Sequence, residues 1–227
     1  MKKNKLNILD CTLRDGGYYN NWHFKKDLIN EYLKVMDIIK VDYVEIGFRF
    51  IDKVKTKGPT AYSEENFLRS LKIPKNLKLG IMINAADFIN NKDIIELAKK
   101  NFKQKKNSVI SLVRIACHHQ EVKSVIPLVN WLKKSGYKVG VNIMQIPELS
   151  SQEIKNTVIE VKKSKADILY FADSLGSLDP TNTKKIIKNI KSNWKGSTGI
   201  HTHDNMGKAL ENSIEAIKNS INWIDCT

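Results

Sequence analysis

Residues 167–190, DILYFADSLGSLDPTNTKKIIKNI, contain one complete unit of the pattern that decides the fold. A β-rich apolar run at 167–172 breaks at Asp173-Ser174-Leu175-Gly176. Asp179-Pro180 then opens a helix, because proline's fixed φ and missing N–H suit the first helical position. The same alternation extends in both directions. β-rich runs lie at 6–12, 43–48, 78–84, 109–115, 138–144, 167–172, 198–203 and 222–227. Between them come helical stripes: Leu28, Tyr32, Met36 and Ile39, then Val122, Val125, Ile126 and Val129, then Leu210, Ile214, Ile217 and Ile221. Each stripe predicts a helix face packed on the core. Ser150 with Glu153 predicts a capping box at the start of another helix.

Eight βα periods of about 30 residues predict an α/β protein with a closed (β/α)8 TIM barrel. An open doubly wound sheet usually has fewer strands and a nucleotide-binding glycine loop after the first; neither G-x-G-x-x-G nor G-x-x-x-x-G-K-[ST] occurs here. The segment 51–63, with Gly58 and Pro59, is expected to be the longest loop at the catalytic face. The 227 residues predict a single catalytic domain, 1–227. The chain stops at Asp225-Cys226-Thr227, at the end of the eighth strand, whereas a barrel of this class runs to about 250 residues. The outer faces of strands one and eight, including Ile224, are therefore expected to be wet unless another subunit covers them or the natural protein continues. A homo-oligomer is the expectation.

Composition narrows the class of partner. Hydrophobic residues at 41% and charged residues at 27% make the chain too apolar to be disordered. Its apolar runs are shorter than the roughly 20 residues a membrane span needs, and residues 1–7 are too polar to open a secretory signal. No membrane and a cytoplasmic location are expected. The net charge of +14 raises nucleic acid as a partner, but only Arg14, Arg49, Arg69 and Arg114 of the 38 basic residues are arginine. The lysines are scattered over helical polar faces with no interleaved aromatics, so a solvated surface and no nucleic acid are expected. Cys11, Cys117 and Cys226 lack C-x-x-C spacing and read as reduced thiols.

Barrel enzymes place their chemistry where strands end. Strand one runs into Leu13-Arg14-Asp15-Gly16-Gly17, and strand seven ends in His201-Thr202-His203-Asp204-Asn205. Residues two apart in a strand project on one face, so His201 and His203 are placed to grip one ion, with Asp15 joining them from another odd-numbered strand. Two histidines and one carboxylate with open positions suit Mn2+, Mg2+ or Fe2+. Arg14 either aims its fork at a substrate oxyanion or pairs internally with Asp15 or Glu45. Glu45, charged within the apolar run Val44-Glu45-Ile46, is either catalytic or a partner for a buried cation. Asp173 and Ser174 either bind substrate or cap a turn.

Asp10-Cys11-Thr12-Leu13-Arg14-Asp15-Gly16-Gly17, Ala172-Asp173-Ser174-Leu175-Gly176 and His201-Thr202-His203-Asp204-Asn205-Met206-Gly207, in this order, resemble the DRE-TIM metallolyase superfamily. That group includes 4-hydroxy-2-oxovalerate aldolase, hydroxymethylglutaryl-CoA lyase (HMG-CoA lyase), isopropylmalate synthase and homocitrate synthase. The resemblance implies Mn2+ or Mg2+ held by Asp15, His201 and His203, with Arg14 stabilising an enolate and Ser174 near the substrate carbonyl. It implies a 2-oxoacid or acyl-thioester substrate and a carbon–carbon bond made or broken beside the carbonyl.

The chain departs from the pattern in two places. Tyr18 stands where aldolase relatives place a histidine base, which makes Tyr18 a catalytic candidate with His23, His118 and His119 as substitutes. The chain also ends before the residues beyond strand eight that complete the site in lyases and synthases. The leading expectation is an aldolase giving pyruvate and an aldehyde. The alternatives are acyl-CoA lyase or synthase chemistry, a non-catalytic barrel that binds metal and 2-oxoacid, and an iron oxygenase using the same ligand triad.

Overall fold

The computed structural model describes residues 5–227. Eight parallel strands, β1 (Asn7–Asp10), β2 (Tyr43–Phe48), β3 (Lys78–Asn84), β4 (Ile110–Cys117), β5 (Lys138–Ile143), β6 (Ile168–Asp173), β7 (Ser197–Thr202) and β8 (Trp223–Cys226), close into a barrel in chain order. β8 returns to β1 with Asn7 opposite Trp223 and Asp10 opposite Cys226. Both faces of such strands are covered, which is why they read as near-continuous apolar runs; β2 and β6 are buried along their whole length. The fold is the (β/α)8 barrel that the eight runs predict.

Helices α1 (Thr12–Asn20) and α2 (Lys26–Ile38) link β1 to β2, and α3 (Glu65–Arg69) precedes β3. α4 (Ala85–Ile89) and α5 (Ile94–Asn101) precede β4, followed by α6 (Val122–Lys134), α7 (Ser151–Lys162), α8 (Pro180–Asn193) and α9 (Ala209–Lys218), each before the next strand. The Ser150–Glu153 capping box opens α7, and Asp179 caps α8 with Pro180 in its first turn.

The barrel interior is built in layers. Arg114 on β4 donates to Glu45 on β2 and to Asp225 on β8, and its guanidinium carbon lies 4.6 Å from the centre of the Tyr170 ring on β6. The four even-numbered strands thus contribute one charged, aromatic layer. Glycines in the adjacent layer give it room. A Cβ at Gly199 on β7 would lie 2.2 Å from the Tyr170 ring, and one at Gly140 on β5 would lie 3.3 Å from Arg114 Cγ. Leu9, Tyr43, Leu112, Ile168 and Trp223 belong to the apolar cluster inside the barrel.

Of the three predicted helix stripes one packs inward, one is divided and one faces outward. The α6 stripe is buried at Val122, Val125 and Val129, with Ile126 half-buried, as its spacing predicts. On α2 the stripe residues Tyr32 and Met36 pack on the core beside buried Ile29, Asn30 and Leu33, while Leu28 and Ile39 are exposed, together with Val35 and Ile38. On α9 Leu210, Ile214 and Ile217 are exposed and Asn212 and Ala216 are buried; only Ile221 beyond the helix is in the core. The cause is a buried asparagine on each inner face. Asn30 Oδ1 accepts the Lys72 N–H at 2.8 Å, and Asn212 bonds the Leu178 carbonyl and Thr183. These bonds fix each helix's rotation, turning the α9 stripe outward and leaving the α2 stripe divided between core and solvent. Ile224, expected to be wet, is buried, so the exposed apolar surface beside the β8–β1 junction lies on the flanking helices.

Candidate active site

The first turn of α1 carries Arg14 and Asp15 just beyond the end of β1. Trp22 braces that turn. Its Nε1 donates to the Arg14 carbonyl at 3.0 Å, and its ring stands edge-on to Phe48 and Phe50. Gly17 leaves the space the indole fills, since a Cβ there would lie 2.0 Å from the ring. Arg14 is only 6% exposed. Its Nε donates to Glu45 Oε2 at 2.7 Å and its Nη1 to Asp15 Oδ1, while Nη2 has no hydrogen-bond partner among the described residues. Burial opposes its charge most, but Glu45, Cys11 and Asp15 together more than offset this and hold the guanidinium above its usual range.

The two histidines have their tautomers set from behind. His201 Nδ1 stands 3.0 Å from Asp225 Oδ2, and His203 Nδ1 stands 3.1 Å from the Ser174 carbonyl oxygen. A carboxylate and a carbonyl only accept, so each imidazole carries its proton on Nδ1 and directs a lone pair from Nε2. Those two Nε2 atoms face each other at 3.1 Å. Asp15 Oδ2, 3.9 Å from His201 Nε2, is buried with no hydrogen-bond partner. Two facing lone pairs and, 3.9 Å from one of them, an orphaned carboxylate oxygen are the donor types that fit a cation. Ligands at about 2.1 Å from an octahedral ion stand roughly 3 Å apart when adjacent. The backing of each imidazole by an acceptor is the arrangement metal-ligating histidines adopt.

Cys11 also approaches this centre; its sulfur, Asp15 and His201 bring ligand atoms within 4.8 Å of one another. It meets His201 at Nδ1, at 3.9 Å, on the side already occupied by Asp225. Burial pushes its thiol well above the usual range, so the thiolate a metal requires is disfavoured. The donor set facing the open side is Asp15, His201 and His203, and oxygen and nitrogen donors of this kind match a hard divalent cation.

The remaining sequence candidates separate by geometry. Glu45 is fully buried and closes a bidentate pair with Arg114 while accepting from Arg14. Burial would raise its carboxyl, but the two guanidiniums hold it below the ordinary range, so it anchors Arg14 and is not a proton-transferring acid. Asp173 corrects the expectation of substrate binding. It is fully buried, and its oxygens accept the backbone N–H groups of Ser177 and Leu178, so it builds its own loop.

The Ser174 hydroxyl accepts the Gln145 N–H at 3.0 Å. Tyr18, 62% exposed, shares with Asp15, His201, His203 and Asn205 a cavity of about 950 Å³. Desolvation raises its phenol, which makes it a donor and a poor base. His23 is spent on the Thr56 carbonyl, and His118 and His119 lie beyond β4. Arg114 and Asp225 were not singled out from the sequence. Asp225 accepts from Arg114 and His201 on one oxygen, and despite burial these two hold its carboxyl below the usual range.

A closed barrel that brings two histidines and an aspartate to one cavity at its carboxyl end, beside a buried Arg–Glu pair, defines a class of barrel proteins with a candidate divalent-cation site. The chain belongs to the HMGL-like family, whose model matches residues 82–227, and with it to the DRE-TIM metallolyase superfamily. It is 23% identical to an oxaloacetate decarboxylase of Mycobacterium tuberculosis over 97% of this chain and 63% of that protein. It is 26% identical to a 4-hydroxy-2-oxovalerate aldolase of Carboxydothermus hydrogenoformans over 98% of this chain and 65% of that protein. The chain thus spans a little under two thirds of these relatives.

Among solved structures, the N-terminal domain of a candidate aldolase from Bacteroides vulgatus superposes with a TM-score of 0.81 at 30% identity, covering 98% of this chain and 72% of that one. The HMG-CoA lyase of Bacillus subtilis shares the fold, with a TM-score of 0.77 at 13% identity, covering 98% of this chain and 76% of that one.

Proposed function

We propose that residues 1–227 act as one catalytic barrel domain that cleaves or forms a carbon–carbon bond next to a 2-oxoacid carbonyl. The reaction most like the site is that of 4-hydroxy-2-oxovalerate aldolase, giving pyruvate and an aldehyde. The observation that supports this reading best is the pair of Nε2 lone pairs 3.1 Å apart beside the orphaned Asp15 oxygen, with Arg14 adjoining. Mn2+ or Mg2+ held by Asp15, His201 and His203 supplies a Lewis acid for the 2-oxo group. Arg14 offers its free Nη2 to the oxygen that gains charge as the C3–C4 bond breaks and its electron pair moves into the enolate. Glu45 and Asp15 keep the fork oriented. In cleavage the C4 hydroxyl gives its proton to water in the open cavity as the aldehyde forms, and the enolate takes one at C3; in the condensation direction Tyr18, held protonated, donates to the aldehyde oxygen.

Turnover of a panel of 4-hydroxy-2-oxoacids, with and without Mn2+ and with pyruvate release coupled to a dehydrogenase, tests the proposal. Oxaloacetate belongs in the panel because of the decarboxylase relative: loss of CO2 from C4 leaves the same enolate, and the absence of an aldehyde product tells the two reactions apart. Release of pyruvate from no member would leave acyl-thioester chemistry or a non-catalytic role.

The metal assignment carries its own expectation. His201→Ala/His203→Ala removes two of three donors, and after dialysis its Mn2+ content should fall to background while the wild type retains one ion per barrel. Retention at the wild-type level would place the ion elsewhere. A homo-oligomer is proposed from the exposed stripes of α2 and α9, where Leu210 is 73% exposed and Ile38 is 66% exposed. Apolar residues clustered in this way mark an association surface. Light scattering should give at least twice the mass of one chain, and Leu210→Glu/Ile214→Glu should reduce it; a monomeric wild type would end the proposal.

A further inference from the structure

Asn142 on β5 is 4% exposed; its Oδ1 is buried without a hydrogen-bond partner, and its Nδ2 donates to nothing among the described residues. Its direction follows from its neighbours. Two residues earlier, a Cβ at Gly140 would point at Arg114 and Tyr170 inside the barrel, so Asn142 points inward as well. His201 stands in the same relation to Gly199, whose Cβ would meet the other side of Tyr170. Asn142 and His201 therefore project into one layer, from odd-numbered strands flanking β6. The positions beside Asn142 are small: Ala116 is its pairing partner on β4, and Ala172, two residues beyond Tyr170, faces inward between it and His201. An unpaired amide is left among small neighbours, in the same inward layer as the candidate metal ligand His201.

We infer that Asn142 is a substrate-contacting residue, its amide donating to an oxygen of the 2-oxoacid held at Asp15, His201 and His203; this rests on the function proposed above. A buried amide left unpaired costs stability that an apolar residue of the same shape does not. A group retained at that cost for a ligand shows a particular signature on substitution: stability is kept or gained, and affinity is lost. An asparagine held by buried water shows the reverse.

The test is Asn142→Leu, read in two ways. Metal-free protein is melted, and Mn2+-saturated protein is titrated with oxalate, a planar dianion with two adjacent oxygens like those of a pyruvate enolate. The metal-free variant should melt no lower than wild type. Its oxalate Kd should rise by at least about 10-fold, the weight of one hydrogen bond to a charged group. Unchanged oxalate affinity overturns the assignment, and so does a variant that melts lower or fails to fold, because Asn142 is then a structural residue. Wild-type protein that binds no oxalate with Mn2+ present overturns the 2-oxoacid reading itself and this assignment with it, whereas wild-type binding with an indifferent variant removes only the assignment.

Discussion

Arg114→Met should cost the protein at least about 3 to 5 kcal/mol of folding free energy, the typical penalty for removing one partner of a buried ion pair. Arg114 is fully buried at the centre of the barrel and serves two acids. Its Nε reaches Glu45 Oε1 at 2.7 Å, its Nη2 reaches Glu45 Oε2, and its Nη1 reaches Asp225 Oδ2 at 2.6 Å. Methionine fills much of the volume and supplies none of these donors. Glu45 keeps Arg14 and Asp225 keeps His201, but two carboxylates are left short of positive charge where water cannot reach them. A loss of that size is a large share of the 5 to 15 kcal/mol that typically holds a domain together, so the urea midpoint should fall sharply.

The pH dependence gives an independent check. In the wild type both carboxyls are held below their ordinary values, so the stability they contribute is present at neutral pH and is lost only as pH falls below about 4. In the variant burial raises them with less to oppose it, so the unfolded state is favoured at neutral pH and the deficit shrinks as pH falls from 7 toward 5. A midpoint within about 1 kcal/mol of wild type, or a deficit indifferent to pH, would show that the layer tolerates its acids unpaired.

The same residues show what the sequence could and could not disclose. Strand positions were legible because a parallel strand covered on both faces must be apolar throughout; the runs at 43–48 and 78–84 coincide with β2 and β3, and the others differ by at most two residues at either end. A charge inside such a run is conspicuous, which is how Glu45 drew notice. Arg114 in Leu112-Val113-Arg114-Ile115 and Asp225 in Trp223-Ile224-Asp225 carry the same signal, and a buried acid calls for a buried base. Pairing them would have found the layer.

The α9 stripe and half of the α2 stripe failed for a different reason. A period of 3.6 residues shows that a face is apolar without showing that it packs inward. α2 carries apolar residues on more than one side, and on α9 the inner face is chosen by hydrogen bonds of Asn212 that no hydropathy pattern registers. The DRE-TIM motifs supplied the order Asp15, His201, His203. The backing by Asp225 and by the Ser174 carbonyl depends on three-dimensional register and was invisible in the sequence.

Arg14→Lys should leave the fold and the metal content near wild type and lower turnover by about 10²- to 10³-fold, the range for losing one preorganised oxyanion donor. Arg14 commits two arms of its fork, Nε to Glu45 and Nη1 to Asp15, and its Nη2 has no hydrogen-bond partner among the described residues. Lysine keeps the positive charge beside Glu45, which protects the buried acid, but its single ammonium at the end of a flexible stem cannot hold the acid, steady Asp15 and meet an oxyanion at once. The loss should fall mainly on kcat, because the oxygen gains its charge as the carbon–carbon bond breaks and not when substrate binds. Mn2+ content measured in parallel separates this from displacement of Asp15, which would lower occupancy along with rate. Turnover within a factor of about three of wild type, on whichever substrate the panel identifies, would reduce Arg14 to a bridge between two carboxylates and remove the oxyanion role from the mechanism.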